Sequence, residues 1–561
     1  MSTTADVSTV AVLTQHNDNA RTGANLQETI LNTSNVNAKQ FGKLFELSVD
    51  GQVYAQPLYV SNVTLGDGTV HNVVYIATMH NTVYAFDADD ASGVVLWKTP
   101  LGPAISLPDP QIGDFKNYHD IALEVGILST PVISLEKNAL YVVAATKEGD
   151  GQYFHTLHAL DLAGGTELFD KPTRIGGSIK GTAKGSVNGT LTFQSHLQNQ
   201  RPGLLLVNDT IYIGFASYGD AGPYSGWILG YSASTLERVS IFCTAPGSQM
   251  INGKLVPDSE GGIWQGGQGL AADSDGLVYA MTGNGTFRPD GSALGDCIIK
   301  FRPNLTVLDW FAPFNNGALD RSDEDLGSAG VLLLPDTDLV VGGGKESKFY
   351  VMHKNSMGHF NAQNDNQIVQ TLVVHVQDAL THHIHGGPAY WHGPKGAWLY
   401  VWVEGDFVKA YQFANGKFQA TPISQHPNIA PAETVGMPGA AISISANGNK
   451  AGILWASHPH NQNVKDASGH VMDANQHIVR GILRAYDASD LSKELWNSQL
   501  APDDSTDAKS DSIGNFAKFC PPTIANGKVY LASFGRDPVG TSPTVAGMNR
   551  ATFHIAVYGL K

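Results

Sequence analysis

The phrase Val83-Tyr-Ala-Phe-Asp-Ala88, followed after a polar turn by Leu96-Trp97, decides the fold because it recurs along the whole chain. Each copy is a short apolar segment that ends in an aromatic residue and in Asp-Ala or a variant of that pair. The further copies begin at Leu157, Ile228, Ile298, Phe349, Val408, Leu483 and Ile555. Self-similarity of this kind is the signature of a repeat architecture, so the eight copies predict eight structural units.

A matching pair of strands precedes each copy, as in Thr130-Pro-Val-Ile133 before Ala139-Leu-Tyr-Val-Val143. Alternating apolar residues bounded by Asn-Gly, Asp-Gly or Gly-Asn indicate antiparallel strands with tight turns. Together with the Leu-Trp strand, each unit has four strands, which is the blade of a β-propeller. We therefore predict an all-β chain that forms a single eight-bladed β-propeller of four-stranded antiparallel blades, with seven blades as the alternative.

The two ends of the repeat predict how the ring closes. The last unit reaches the end of the sequence after its third strand, whereas Phe41–Val49 precedes the first full blade and has no partner there. An N-terminal strand that completes the last blade would remove two sheet edges at once. We therefore divide the chain into an arm, residues 1–40, and a propeller, residues 41–561. For the polar stretch Gln15–Gly23 in the arm, we favour an ordinary surface segment tied down by hydrogen bonds over a loop that caps the central funnel.

Composition narrows the classes of partner. Charged residues are only 15% of the 561 residues, and 61 glycines fit a turn-rich β protein. The formal net charge of −16 disfavours nucleic acid and anionic membranes, because binding phosphates requires a positive field. No apolar run approaches the ~18–20 residues of a membrane span. We expect a small-molecule or glycan substrate and leave the oligomeric state open.

The cysteines and the N-terminal residues give information on the cellular location of the protein. Cys243, Cys297 and Cys520 are far apart in sequence and odd in number, which predicts small buried hydrophobes rather than a disulfide framework. Residues 1–6 lack the basic and apolar regions of a signal peptide. Several Asn-x-Ser/Thr sequons are compatible with secretion. We expect a secreted or periplasmic protein rather than a cytoplasmic one, with no signal peptide in this sequence.

The repeated Ala-Phe-Asp-Ala phrase with its following Leu-Trp resembles the blade motif of the quinoprotein (PQQ-dependent) alcohol and glucose dehydrogenases, and also the PQQ-binding-like propeller proteins. The resemblance covers nearly the whole chain. It implies the eight-bladed fold and a structural role for Trp97, Trp310 and Trp496, each docking against a neighbouring blade. Active members of the family bind PQQ and carry calcium-binding carboxylate and amide residues and an Asp base, and neither the calcium ligands nor the base can be matched residue by residue in this sequence. The adjacent Cys-Cys pair of active members is absent here.

Polar residues enter the first strands and follow the second strands of the predicted blades, where they would line the central funnel. Convergent polar groups at a concave mouth indicate a binding site, with a wet, inert channel as the alternative. The candidate catalytic residues are His80, His385, Lys345 and Glu404. The candidate substrate-binding residues are Arg201, Trp264, Gln265, Asn284, Lys518 and Arg536. A long insertion with Tyr118-His119-Asp120 precedes blade two, and insertions of that kind often wall a binding site.

Two histidine clusters predict a metal site. They are Thr381-His-His-Ile-His-Gly-Gly-Pro388, which opens blade six, and Ser457-His-Pro-His460, which follows the second strand of blade seven. In an extended chain His383 and His385 project to one side, as do His458 and His460. Imidazoles suit zinc, copper, iron or nickel. Hydrogen-bonded histidines that line the funnel are the alternative, and the cofactor stays open between a transition metal, calcium and PQQ.

Three functions are compatible with these residues. The first is a quinoprotein-like or metal-dependent oxidoreductase on a small polar or sugar-like substrate, with an imidazole such as His80 or His385 as base. The second is a lyase on uronate-containing glycans, in which Arg201, Lys345, Lys518 and Arg536 neutralise the carboxylate. The third is a non-catalytic scaffold. We favour an enzyme, and the oxidoreductase ahead of the lyase.

Overall fold

The computed structural model describes residues 10–114, 118–375, 382–429, 437–460, 474–499, 511–536 and 552–561. Over these residues the chain forms eight antiparallel blades arranged in chain order. The eight repeated phrases of the sequence are the third strands of the eight blades. This confirms the predicted all-β class and the eight-bladed propeller, and excludes the seven-bladed alternative.

Each blade has four main strands, and each strand pairs with the next in the order that follows. In blades one to four they are Leu58–Thr64, Val70–Ala77, Thr82–Asp87 and Val95–Pro100; Val132–Ser134, Ala139–Glu148, Gln152–Asp161 and Thr173–Arg174; Leu205–Val207, Thr210–Ser217, Trp227–Ser232 and Arg238–Cys243; and Ala271–Ala272, Val278–Met281, Ile298–Phe301 and Val307–Ala312. In blades five to eight they are Leu332–Leu333, Leu339–Gly343, Lys348–His353 and Gln370–Val373; Ala389–Gly393, Gly396–Val401, Phe407–Ala414 and Ser424–Ile429; Ala441–Asn447, Lys450–Pro459, Gly481–Asp487 and Glu494–Asn497; and Thr523–Ala525, Lys528–Ser533, His554–Leu560 and Phe41–Ser48.

Short elements decorate the blades. The additional strands are Ala11–Val12, Ala24–Asn25, Gln198–Asn199, His359–Phe360 and Lys417–Phe418, and the hairpins Ile105–Ser106 with Glu124–Val125, Ser178–Lys180 with Thr190–Thr192, and Ser248–Ile251 with Lys254–Pro257. One α-helix, Asn316–Ser322, and two 3-10 turns, Ser195–Leu197 and Leu326–Ser328, complete the regular structure of the described residues.

The N-terminal strand closes the ring as predicted. Phe41–Ser48 pairs antiparallel with His554–Leu560, from Phe41 opposite Leu560 to Ser48 opposite His554. The Phe41 ring is buried and packs edge-on against Trp496 of blade seven, with ring centroids 5.0 Å apart. The two ends of the propeller are therefore held in one sheet, which covers the edge that the last blade would otherwise expose.

A tyrosine in the second strand joins neighbouring blades. Its buried hydroxyl donates to a carbonyl at the end of the repeated phrase in the following blade, at 2.7 to 3.0 Å. The pairs are Tyr75 with Leu162, Tyr141 with Ala233, Tyr212 with Pro303, and Tyr400 with Ala488. Trp97 Nε1 donates to the same Leu162 carbonyl at 3.0 Å. In these four copies the end of the repeated phrase therefore supplies the acceptor that links a blade to the preceding one.

Removing one of these hydroxyls should loosen the ring measurably. In Tyr400→Phe, the buried Ala488 carbonyl loses the donor that lies 2.8 Å away. We expect the free energy of unfolding to fall by about 1–3 kcal/mol, since an unsatisfied buried acceptor carries that penalty. Urea unfolding should show a lower midpoint at an unchanged slope. An unchanged midpoint would mean that this contact does not hold blades six and seven together.

The N-terminal arm runs around the inside of the ring and touches every blade. Ala11–Val12 pairs with the first strand of blade one. The arm then bonds the first strand of each following blade, through contacts to Ile133, Leu206, Ala272, Leu333, Tyr390, Ile444 and Ile524 at 2.7 to 2.9 Å. The stretch Gln15–Gly23 is therefore a structural lining of the ring, held by hydrogen bonds as we favoured, but Gln15, His16 and Arg21 are buried rather than on the surface.

Arg21 is the centre of this lining. Its side chain is fully buried, and its Nε donates to Leu270 O at 2.7 Å while Nη1 donates to Gln15 O at 2.6 Å. A further bond runs from Nη2 to Leu204 O at 3.1 Å. Burial lowers the pKa of Arg21 to about 10, which leaves it charged at neutral pH. One guanidinium thus links the arm to blades three and four.

The cysteines are buried and unbridged, as their sequence context predicts. Cys243, Cys297 and Cys520 are free thiols inside the apolar core. Burial raises the pKa of Cys243 and of Cys520 to about 12. These thiols therefore pack as small hydrophobic side chains and supply no thiolate at neutral pH.

Candidate functional site

A polar pocket of about 430 Å³ lies where loops of blades two to seven converge. Its lining residues come from segments that enter a first strand or follow a second strand, which is the rule that selected the candidates from the sequence. The lining residues are Asp120, Arg201, Gly219, Asp220, Trp264, Ser322, Asp323, Glu324, Asp325, Ser328, Lys345, His383, His385, Met437 and Asn475. Of the residues predicted from sequence, the pocket brings together Arg201, Trp264, Lys345, His383 and His385.

One side of the pocket is an ion-pair network around Lys345. Its Nζ lies 2.8 Å from Asp325 Oδ2 and 3.3 Å from Asp323 Oδ2. Burial opposes the charge of Lys345, but the two carboxylates outweigh it and raise its pKa. Lys345 is therefore permanently protonated, which rules out a role as a general base. It serves as a fixed positive charge in the pocket.

Asn284 supports the same acidic side. Its backbone N–H donates to Asp325 Oδ1 at 2.8 Å, and its side-chain Nδ2 donates to Asp323 Oδ1 at 2.6 Å. The remaining amide oxygen, Oδ1, is buried and has no hydrogen-bond partner among the described residues. Asn284 thus orients two carboxylates and leaves one oxygen donor beside them.

Asp220 is a pocket carboxylate whose pKa is raised toward neutral pH. It follows the second strand of blade three, and its Oδ1 accepts a 2.6 Å hydrogen bond from the Tyr224 hydroxyl. Desolvation, reinforced by the negative charges of Asp325 and Asp323, raises the pKa of Asp220 to about 6. A carboxylate with this pKa is ionised at neutral pH and accepts a proton more readily than an ordinary Asp does.

Arg201 and Trp264 form an aromatic and cationic wall. The Arg201 guanidinium lies 3.9 Å from the centroid of the Phe519 ring, and both side chains also line a small cavity beside Gln15 of the arm. Burial lowers the pKa of Arg201, with Asp120 opposing the shift. Trp264 Nε1 is buried and has no hydrogen-bond partner among the described residues. The wall therefore offers a flat indole, a donor and a positive charge to a ligand.

His383, His385 and Glu404 form a compact group at the edge of the pocket. His385 Nε2 lies 3.1 Å from Glu404 Oε1, and His383 Nδ1 lies 3.9 Å from Glu404 Oε2. The Glu404 side chain is fully buried, and that of His385 is 5% exposed. Burial lowers the pKa of His383 to about 4 and that of His385 as well. Both imidazoles are neutral at physiological pH.

The other two histidines of the predicted metal set do not join this group. His458 lies in the second strand of blade seven, where Nδ1 bonds Pro459 O at 2.7 Å and Nε2 accepts from Arg484 Nε at 3.0 Å. Both ring nitrogens are thus used, which excludes His458 as a ligand in this conformation. His460 is placed by a backbone bond to Arg480 O at 2.8 Å. Among the described residues, only His383, His385 and Glu404 form a metal-ligating group.

Four further candidates lie outside the pocket wall. Gln265 is fully buried and bonds Gly269 O and the Met281 N–H, so it shapes its loop rather than binding substrate. His80 Nδ1 lies 3.1 Å from Glu124 Oε2 on a half-exposed surface. The other two are Lys518, which donates to the backbone oxygen of the lining residue Asn475, and Arg536, which pairs with Glu46 of the ring-closing strand. None of these four residues is among the lining residues of the pocket, so their roles at the funnel stay predictions.

Sequence reasoning missed the carboxylates Asp220, Asp323 and Asp325. Asp220 follows a second strand and was available to the rule that selected Lys345. Asp323 and Asp325 lie between the helix Asn316–Ser322 and the first strand of blade five, in a segment without a counterpart in other blades. The insertion before blade two does wall the site, through Asp120.

Among the described residues, none of the helices is long and apolar enough to span a membrane.

No protein-family model and no curated protein sequence matches this chain. Solved structures share its fold. A quinohemoprotein alcohol dehydrogenase from Comamonas testosteroni aligns with a TM-score of 0.54 at 15% identity over 98% of this chain and 80% of that chain. The alcohol dehydrogenase ADHIIG from Pseudomonas putida HK5 gives 0.55, at 14% identity over 98% and 80%.

A europium-containing methanol dehydrogenase aligns with a TM-score of 0.53 at 15% identity, over 98% of both chains. Identities this low establish architecture rather than chemistry. The comparisons thereby confirm the resemblance inferred from the repeated phrase: the chain has the eight-bladed propeller fold of the quinoprotein dehydrogenases.

Proposed function

We propose that this protein is an oxidoreductase on the quinoprotein plan, which oxidises a small polar, hydroxyl-bearing substrate in the funnel pocket. The observation that carries the proposal is Asp220, a carboxylate with its pKa raised to about 6 in the wall of a 430 Å³ pocket. Such a group is suited to take the proton of a substrate hydroxyl near neutral pH. The shared fold of alcohol and methanol dehydrogenases supports the same reaction class.

The pocket fits a flat quinone that bears carboxylates, such as PQQ. Trp264 offers an indole face together with a buried Nε1 donor that has no partner among the described residues. Arg201 and Lys345 supply positive charge for carboxylates on the ligand. When bound, a quinone of this class accepts the two electrons of an alcohol oxidation. The adjacent Cys-Cys pair of active quinoproteins is absent from the sequence, so the cofactor itself has to be measured.

The acidic side of the pocket fits a hard divalent cation such as calcium. Asp325, Asp323 and the partnerless Oδ1 of Asn284 give a set of oxygen donors, which calcium prefers. Lys345 already holds the two carboxylates together with its ammonium group. Asn284 therefore holds the carboxylates of Asp323 and Asp325 in place. Their negative charge is balanced either by the Lys345 ammonium group or by an added cation.

Substrate positioning follows from the same residues. Tyr224 donates to Asp220 Oδ1, which leaves Oδ2 to receive the proton. The neutral imidazoles of His383 and His385 border the pocket and can orient a second hydroxyl by hydrogen bonding. We therefore propose small polyols, sugars or short alcohols as the substrate class.

The proposal includes a location outside the cytoplasm, which cell fractionation would test.

The lyase and scaffold alternatives are less well supported. Lys518 and Arg536, which the lyase hypothesis needs, lie outside the lining. A scaffold gives no reason for Asp220 to have a raised pKa inside a cavity.

Binding of the cofactor tests the proposal. The full chain, treated with PQQ and Ca²⁺ and dialysed to equilibrium, should retain one PQQ per chain. Lys345→Met should weaken PQQ binding by at least about 10-fold, since it removes a charge-assisted contact of about 1.5–3 kcal/mol. Lys254→Met is the matched control, because Lys254 is exposed on a distant hairpin. Retention that is equal in both variants, or absent in the native chain, would overturn this assignment of the pocket.

A further inference from the structure

His383, His385 and Glu404 meet because of the blade-six hairpin. The histidines enter its first strand, Ala389–Gly393, and Glu404 follows its second strand, Gly396–Val401. These strands pair antiparallel with Ala389 opposite Tyr400, so the segment before the first and the segment after the second lie side by side. The Glu404 N–H also contacts His383 O at 3.4 Å. Their proximity is therefore set by the backbone and not by flexible side chains alone.

The three donor atoms are spaced for a metal ion. All lie within 4.8 Å of one another, and His385 Nε2 lies 3.1 Å from Glu404 Oε1. A tetrahedral ion with bonds of ~2.0–2.1 Å holds its ligand atoms about 3.3 Å apart. His383 Nδ1, at 3.9 Å from Glu404 Oε2, would move closer to complete that geometry.

Burial favours a ligand role over an ordinary hydrogen-bonded histidine. His385 Nε2 is buried and lacks a hydrogen-bond partner among the described residues, although a carboxylate oxygen lies 3.1 Å away. A buried polar atom in a native fold normally has a partner, and a metal ion would provide one. The His383 side chain is 24% exposed and lines the pocket, so the open coordination position faces the substrate space.

We propose that His383, His385 and Glu404 form a binding site for a divalent transition-metal ion of the zinc, cobalt and iron(II) class, open toward the funnel pocket. Two imidazoles and one carboxylate suit borderline ions, whereas calcium prefers the all-oxygen side around Asp325. An open position at a three-ligand site binds water or a substrate oxygen. The site uses none of Asp220, Asp325 and Lys345, although its two histidines also border the substrate space.

Cobalt is the probe that tests the site. The tag-free full chain is freed of metal with a chelator and titrated with Co²⁺, which gives visible d–d absorption when nitrogen and oxygen ligands surround it. We expect one Co²⁺ per chain, displaced by Zn²⁺ and not by excess Ca²⁺. Neither PQQ nor activity enters the readout, so this test can fail while the proposed function stands, and the reverse also holds.

Two ligand variants and one control make the result specific. His383→Ala and Glu404→Gln should each weaken Co²⁺ binding by more than about 100-fold, beyond the 10–100-fold cost of losing a supporting residue. His353→Ala is the control, since its side chain is 52% exposed and pairs with Asp338 away from the pocket. If Glu404→Gln does not fold, the partly exposed His383 still decides the question. Co²⁺ binding that is absent, or unchanged in His383→Ala, would overturn the site.

Discussion

Asp220→Asn will lower kcat/KM for alcohol oxidation by about 10²–10⁴-fold, the usual contribution of a positioned general base. The amide keeps the shape of the side chain and can still accept from the Tyr224 hydroxyl, but it cannot take a proton. The native chain should lose activity as the pH falls through about 6, because the raised pKa of Asp220 lies there and only the ionised form accepts a proton. The residual activity of the variant should lack this acidic limb.

The measurement is dye-coupled oxidation of a panel of alcohols and sugars across the pH range that brackets the Asp220 pKa. Asp209→Asn is the matched control, because Asp209 lies on the surface of the same blade, where it pairs with Lys137. Its profile should follow that of the native chain. An Asp220→Asn variant that keeps native kcat/KM and its acidic limb would exclude Asp220 as the proton acceptor.

Arg21→Met will lower the free energy of unfolding by about 3–5 kcal/mol, the cost of breaking a buried charged network. The methionine fills part of the volume, but the carbonyls of Leu270, Leu204 and Gln15 lose their donor in a site closed to water. Because the arm bonds the first strand of every blade, the loss should loosen the ring as a whole.

Chemical unfolding, followed by tryptophan fluorescence, measures the effect. The control is Arg302→Met, since Arg302 is exposed at the surface of blade four. Its midpoint should stay within experimental error of the native value. If Arg21→Met unfolds at the native midpoint, the arm contributes little to closing the ring, and its contacts are incidental to a self-sufficient propeller.

The fold could be predicted from the sequence because one strand motif recurs in every blade. Eight copies of one phrase each became a third strand, and the strand Phe41–Ser48 supplied the one missing from the last blade. The path of residues 11–25 was not readable, because each contact of the arm is with a different blade. No local pattern encodes a segment whose partners are spread over nearly the whole length of the chain.

The candidate site was readable only in part. Strand ends pointed to Arg201, Trp264, Lys345 and the blade-six histidines, since blade topology directs those positions to the funnel. His383 and His458 could not be told apart, as each belongs to a His-x-His pair. The difference is tertiary: Arg484 reaches His458 from the neighbouring strand, whereas Glu404 reaches the other pair. The role of Arg536 depends on Glu46, which is distant in sequence. The raised pKa of Asp220 depends on its burial and on the neighbouring charges of Asp325 and Asp323.

The most direct test of the central claim is substrate-dependent dye reduction by the full chain supplied with PQQ and Ca²⁺. We predict reduction that requires PQQ and a hydroxyl-bearing substrate together, and that is lost in Asp220→Asn. Two results would contradict an Asp220-dependent, PQQ-dependent alcohol oxidation. One is no dye reduction by the folded, PQQ-loaded chain with any alcohol or sugar, and the other is reduction that does not depend on Asp220.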